Sequence, residues 1–234
     1  MNHSDDLRLI PQPGQSERSA EEYLADRRTM VENQLRRRGI KEPAVLQAMG
    51  SVPRHEFVPA EFRYRAYEDV PLPIGESQTI SQPYMVAAIA AALRLTGGER
   101  VLEVGAGCGY QAAILANLAK EIFAIEYRSD LAAAAAERLT RLSYTNVHVH
   151  CGDGTLGLPD LAPFDAMVIS AAAPAPPAPL LAQLSPNGRM VVPVGDLENQ
   201  ELQLIVRERG TFRKIDLEPC RFVPLVGAYG WKES

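Results

Sequence analysis

The chain is poor in cysteine, in tryptophan and in positive charge, and each shortage removes a class of function. Its three cysteines, Cys108, Cys151 and Cys220, are odd in number and far apart, with neither metal-ligand nor redox spacing. They read as reduced intracellular thiols rather than as a disulfide framework or a metal site. Lysine and arginine total 24 against 29 acidic residues, a net charge of -5. Binding a phosphate backbone requires a basic stripe, so nucleic acid is not expected as a partner. The run Arg36-Arg37-Arg38 is read instead as charge at a helix end, where cations meet the negative pole of the backbone dipole. No window approaches ~18 consecutive apolar residues, which excludes a spanning helix and a membrane partner. The start, MNHSDDLRLIPQPGQ, has early acids and no apolar stretch, which argues against a secretory leader. A soluble cytoplasmic protein is expected, with its oligomeric state open.

What is present fits one globular domain: 46% of the 234 residues are hydrophobic and 23% charged. Residues 1–18 are polar, with Pro11, Pro13 and Gly14, and read as a mobile tail. The domain is expected over 19–234, as a helical and loop cover (19–82) on an α/β core (83–234). Ser19 followed by Glu22 is a capping-box signature and opens a charged helix that runs to Arg38 and stops at Gly39. A short helix over Pro43–Met49 precedes a proline-punctuated stretch, 51–81, read as long loops and short pieces. From Gln82 helices alternate with strands: helices over Pro83–Leu93, from the glycine turn to Ala119, and over Leu131–Leu142. The strands are Arg100–Val104, Glu121–Glu126, Val147–Cys151, Phe164–Ser170 and Arg189–Val194. That alternation predicts a mostly parallel sheet covered on both faces. Glu201–Arg207 and Phe212–Leu217, separated by a turn with Gly210, predict an antiparallel hairpin at its edge. The PAPPAP run at 174–179 is expected to shape one loop beside the sheet.

The chemistry concentrates in VLEVGAGCGY, 101–110. Gly105, Gly107 and Gly109, set between a strand and a helix, let a ligand approach the backbone. The dinucleotide fingerprint needs a further glycine where this chain has Tyr110. Glu103, two residues before the first glycine, is unwelcome beside a pyrophosphate but suits a ligand carrying an ammonium and a sulfonium. S-adenosylmethionine is therefore favoured over a nicotinamide cofactor. Glu126 stands 21 residues after Gly105, at the next strand end, where a carboxylate can accept both ribose hydroxyls. Asp153, in Gly152-Asp153-Gly154 after the third strand, is placed to accept from an adenine amino group. Ligands of open α/β sheets bind beyond the strand C-termini, so the three acids form one constellation.

The motifs VPRHEFVP (52–59), QTISQPYM (78–85), EVGAGCGY (103–110), GDG (152–154), PFDAMVISAAAP (163–174) and RFVPLV (221–226) together resemble the protein-L-isoaspartate (D-aspartate) O-methyltransferases, from about Met30 to Val226. The resemblance implies a Rossmann-like S-adenosylmethionine-dependent fold with a seven-stranded sheet, extra N-terminal helices over the cofactor, and isoaspartyl-containing proteins and peptides as substrates. It also implies a methyl ester that cyclises to a succinimide and reopens partly to normal aspartate, which is protein repair. It assigns Ser81 the catalytic role, and Gln78, Thr79, Ile80 and Ser81 contact with the cofactor alongside Glu103, Val104, Gly105, Gly107, Gly109, Glu126, Asp153 and Gly154. One departure stands out: Gly75-Glu76-Ser77 replaces the glycine-x-glycine that often precedes TIS, giving a stiffer loop.

The chemistry agrees with a carboxylate acceptor. A carboxylate is already ionised at neutral pH, so no general base is required, and Ser81 would orient the acceptor rather than attack it. Three alternative activities compete with this one. A base-amino methyltransferase would show an Asn/Asp-Pro-Pro-aromatic run where this chain has Ser170-Ala-Ala-Ala-Pro174. A methyltransferase of a small molecule, or a binding module of the same fold without turnover, stays compatible with the glycine turn, though the intact motifs argue against the second. Other polar residues are read as structural: His148 and His150 alternate along a strand without a third metal ligand, Cys108 packs in the glycine turn, and His55 sits in VPRHEFVP.

Overall fold

A computed structural model describes residues 18–232. Apart from Arg18, which pairs with Asp26 at 2.7 Å, the segment read as a tail lies outside the described residues. The first helix, α1 (Ala20–Met30), opens on the expected capping box. Ser19 Oγ accepts from Glu22 N at 3.2 Å and Glu22 Oε2 accepts from Ser19 N at 2.7 Å. The helical path continues through a wider π turn over Val31–Leu35 and a tight 3₁₀ turn over Arg36–Arg38, ending at Gly39 in the left-handed region. The i→i+5 turn brings Met30 and Leu35, both fully buried, to one face, which a uniform α-helix would not do. Next, α2 (Pro43–Ser51) buries Val45, Leu46, Ala48 and Met49.

The stretch 51–81 holds two 3₁₀ turns, Arg54–Phe57 and Ala60–Arg65, and an antiparallel hairpin of β1 (Leu72–Gly75) and β2 (Gln78–Ile80). The core then runs α3 (Pro83–Leu93), β3 (Arg100–Val104), α4 (Tyr110–Ala116), β4 (Glu121–Glu126), α5 (Ser129–Arg141), β5 (Val147–Cys151), β6 (Phe164–Ile169), α6 (Ala178–Gln183), β7 (Leu184–Gly195), β8 (Gln200–Glu208) and β9 (Thr211–Cys220). Some expected bounds shift. The helix after the glycine turn ends at Ala116 rather than Ala119. The PAPPAP run is loop only over 174–177, since Ala178 and Pro179 open α6, and in its first turn the missing proline N–H costs nothing. β7 begins at Leu184, ahead of Arg189, because a register shift against β6 lets it pair earlier.

The main sheet is seven-stranded, in the order β5-β4-β3-β6-β7-β8-β9, parallel through β7 and antiparallel beyond it. Alternate residues feed two cores. Val101, Ala166, Val168 and Val191 face α3, α4 and the N-terminal helices; Leu102, Val104, Met167, Ile169 and Val192 face the side of α6. The chain runs outward from β3 to β5 and then returns to β6 on the other side of β3. That reversal leaves a crevice beyond the C-termini of β3 and β6, where open α/β sheets bind ligands.

Candidate active site

The crevice is a cleft lined by the ends of β3 and β4, the glycine loop, β2 and the segment Val223–Val226. Its floor is the glycine loop between β3 and α4. Gly105, Gly107 and Gly109 all have φ in the left-handed region, at 85°, 53° and 87°, which no β-carbon-bearing residue adopts without strain. The loop is tied to β4, since Gly105 N and Ala106 N both donate to Ile125 O at 2.8 and 3.0 Å. The β1–β2 hairpin lies on top, so that a Cβ at Gly107 would meet Ile74 Cδ1 at 3.2 Å. Gly154 completes the floor so closely that a Cβ there would fall 2.4 Å from Val104 Cγ1.

Two carboxylates face one another across this floor. Glu126 Oε2 accepts from Gly107 N at 2.7 Å and its Oε1 from Arg128 N at 3.0 Å, leaving each oxygen a second lone pair. Glu103 is fully buried and neither of its oxygens has a partner among the described residues. Burial, and then the neighbouring Glu126, push its carboxyl well above the ordinary carboxylate range. A buried acid without a partner is costly, and a cationic group in the cleft is what would relieve it. S-adenosylmethionine carries two such groups, so the residues present fit it.

Gln78, Thr79, Ile80, Ser81, Glu103, Val104, Gly105, Gly107, Glu126 and Gly154 all line this cleft. Gly109 and Asp153 do not. Gly109 faces away, where a Cβ would press on Leu139 Cδ1 of α5 at 3.1 Å. Asp153 is turned to the chain's own C-terminal segment: Oδ1 accepts from Thr155 N and Oγ1 at 2.9 and 2.6 Å, and Oδ2 from Ala228 N at 2.8 Å. Despite partial desolvation, these bonds hold its carboxyl below the ordinary range. The adenine contact expected of Asp153 therefore has no support in the cleft wall.

Ser81, at the exit of β2, lies on a partition. It lines the cleft and also an adjoining groove, as do Thr79, Ser170, Val223 and Pro224. None of the described histidines lines either space. His55 is stacked on Tyr23 at 3.8 Å and bonded to the Tyr67 hydroxyl at 2.8 Å, and burial lowers its pKa to about 4. His148 and His150 stack beside Phe123 on β4, and no metal-binding cluster occurs among the described residues. Cys108 is buried and its thiol is pushed up by burial, which suits packing rather than reactivity.

Several wall residues escaped the sequence. Gln111, in the first turn of α4, is buried with Nε2 unpartnered, and a polar residue next to the glycine turn was the available signal. Val223–Val226 close the far wall; RFVPLV stood out as a motif but nothing in its pattern placed it here. VPRHEFVP proves to be a brace behind the glycine loop. Arg54 lies over the Tyr110 ring at 4.7 Å, Phe57 packs against that ring edge-on at 5.4 Å, and Arg54 Nε donates to Ala66 O at 2.8 Å.

Comparison with known proteins agrees with this geometry. The family described as protein-L-isoaspartate(D-aspartate) O-methyltransferase matches residues 25–230. A protein-L-isoaspartate O-methyltransferase of Roseiflexus castenholzii is 52% identical over 210 residues, covering 90% of this chain and 96% of that one. One from Methanoculleus marisnigri is 49% identical over 207 residues, covering 88% and 94%. Among solved structures, a protein-L-isoaspartate O-methyltransferase superposes with a TM-score of 0.80 at 27% identity, over 87% of this chain and 67% of that chain. A Plasmodium falciparum structure described under the same activity, in complex with S-adenosyl-L-homocysteine, gives 0.75 at 26% identity over 86% and 98%. The chain belongs to the protein-L-isoaspartate(D-aspartate) O-methyltransferase family.

Proposed function

We propose that the cleft on the glycine loop is the donor site and the adjoining groove the acceptor site of the family's reaction, with Ser81 acting between them. The enzyme methylates the free carboxylate of isoaspartyl residues in damaged proteins, using S-adenosylmethionine. The observation that carries the site assignment is the position of Ser81 on the wall common to both spaces.

The donor supplies an electrophilic methyl group on a sulfonium. Glu103 would take its ammonium, and Glu126 would accept from its ribose with the lone pairs left free. Gln78, Thr79 and Ile80 of β2, with Val104, Gly105, Gly107 and Gly154, shape the rest of the donor wall. The acceptor is already an anion at neutral pH, so no residue has to remove a proton. Ser81 Oγ–H would donate to one carboxylate oxygen and leave the other free to attack in line. The residues from Pro83 into α3 keep that hydroxyl fixed, since Pro83 and Met85 are buried immediately after it.

The macromolecular partners inferred are isoaspartyl-containing proteins rather than nucleic acid or a membrane surface. The net charge of -5 supports this, as does the lack, among the described residues, of any helix long and apolar enough to cross a membrane. The cytoplasm is the compartment proposed, which suits three unpaired cysteines. A transfer assay with methyl-labelled donor tests the reading. Label should pass to an isoaspartyl peptide and leave it as methanol under mild alkali, as from an ester; alkali-stable label would contradict a carboxylate acceptor.

A further inference from the structure

Asp153 has a use other than the one its position after β5 suggested. The chain beyond β9 turns back over the cleft. Val223 O accepts from Ala172 N and Leu225 N donates to Ala172 O, each at 2.8 Å, which lays Val223–Val226 along the wall. The segment then reverses: Gly230 N donates to Gly227 O at 3.1 Å, and Trp231 N returns to Leu225 O at 2.7 Å. Two side-chain fastenings hold the loop so formed. On one side Trp231 Nε1 donates to Ala172 O at 3.1 Å. On the other, Ala228 N donates to Asp153 Oδ2 at 2.8 Å, and Tyr229 N donates to Thr155 Oγ1 at 3.1 Å. Gly227 lies so close to Asp153 that a Cβ there would stand 2.1 Å from Oδ1.

We propose that residues 223–231 form a clasp over the donor cleft, that Asp153 and Trp231 are positioning residues holding it shut, and that the demethylated donor leaves when it opens. Val223–Leu225 are tied to Ala172 by two backbone bonds, as the neighbouring sheet ends are tied to one another. The tip beyond them, Gly227–Trp231, is held to the rest of the fold by a few bonds involving side chains at an exposed rim, where Tyr229 is 50% exposed. Such a fastening can release without disturbing the sheet. Because Val223 and Pro224 also line the acceptor groove, the clasp touches both spaces. This inference rests on the reading of the cleft as the donor site.

The full-length protein carries its own probe, since Trp231 is its single tryptophan. In the wild type, adding S-adenosylhomocysteine should change tryptophan emission, and stopped-flow displacement gives the release rate. Ala228→Pro removes the N–H that reaches Asp153 and sets a ring carbon against Oδ2, undoing that fastening without substituting Asp153 itself. Proline suits this position, the second of a turn closed between Gly227 and Gly230. The clasp predicts a release rate and donor KM raised roughly tenfold in Ala228→Pro, with the effect on KM rather than kcat. Trp231→Phe, read by donor KM alone, should move the same way and stands in if Ala228→Pro folds poorly. Wild-type release and donor KM in these variants, while Asp153→Ala loses affinity, would overturn the clasp and return Asp153 to direct donor contact. A wild type that fails to bind S-adenosylhomocysteine would instead overturn the donor site, and the clasp with it.

Discussion

The two spaces proposed as halves of the active site are built differently. The proposed donor half stands on the C-termini of β3 and β4 and on the glycine loop bonded between them, so the backbone carrying its carboxylates is held by a ladder. The proposed acceptor half is assembled from the exit of β2 and the start of α3, the residue after β6, and the end of β9 with the segment that follows it. A half built on one ladder suits one invariant small ligand. A half gathered from the ends of separate elements suits many peptides that share a single damaged residue. In this proposal Ser81 joins the halves, and the clasp links them a second time.

This comparison predicts separable defects. The largest concerns Ser81: Ser81→Ala should lower kcat about ten- to a hundredfold, the value of one hydrogen bond to a charged group, with donor affinity within about twofold of wild type. Equal losses in donor binding and turnover, measured by calorimetry and steady-state kinetics, would show that the halves are not separate.

Next in size is Glu103→Gln, confined to the donor half. Removing the charge should weaken donor binding by about tenfold while leaving peptide KM unchanged. The ligand-free protein should respond in the opposite sense. A carboxyl whose folded pKa is raised loses stability for the fold as pH climbs above its unfolded value near 4.5. Glu103→Gln should therefore melt above wild type at pH 8, and the advantage should shrink to nothing towards pH 4.5. A melting difference independent of pH would mean that Glu103 has a partner in the free protein.

The hairpin over the glycine loop offers a smaller effect. Glu76 and Ser77 both sit at positive φ, 50° and 55°, in a two-residue turn that favours Asn-Gly. Ser77→Gly should stabilise the protein by about 1 kcal/mol, raising Tm by about 2–4 °C. A loss of stability would show that Ser77 makes a contact worth more than its strain. The smallest expected effect is on the pH profile, where kcat should stay nearly flat from about pH 6 to 8. No described histidine lines the site, and His55, held at about 4 by burial, is neutral throughout that range. A rise centred near 6.5 would require a histidine that the geometry does not supply.

The cleft proposed for the donor was legible in the sequence because its signals are local. Three glycines between a strand and a helix, with an acid before them and another at the next strand end, fix their own positions once the strands are read. The core strands Arg100–Val104, Glu121–Glu126 and Val147–Cys151 have the bounds read from the sequence. The acceptor half was less legible. Val223–Val226 reach the cleft through pairing with Ala172, a contact between segments some fifty residues apart that no periodicity announces. The β1–β2 hairpin was read as loop because its strands are only four and three residues long and its turn lacks the usual Asn-Gly. Asp153 shows the limit from the other side. Position after a strand put it at the right edge of the sheet, but its orientation was decided by backbone donors at Ala228 and Thr155.

Recognition of the misplaced carboxylate of an isoaspartyl residue is tested by kcat/KM for methyl transfer to two peptides of one sequence, differing only in an isoaspartyl or a normal aspartyl linkage. Transfer should be rapid to the isoaspartyl peptide, no greater than background to its aspartyl twin, and about ten- to a hundredfold slower to the former in Ser81→Ala. Comparable transfer to both peptides, or undiminished transfer by Ser81→Ala, would contradict it.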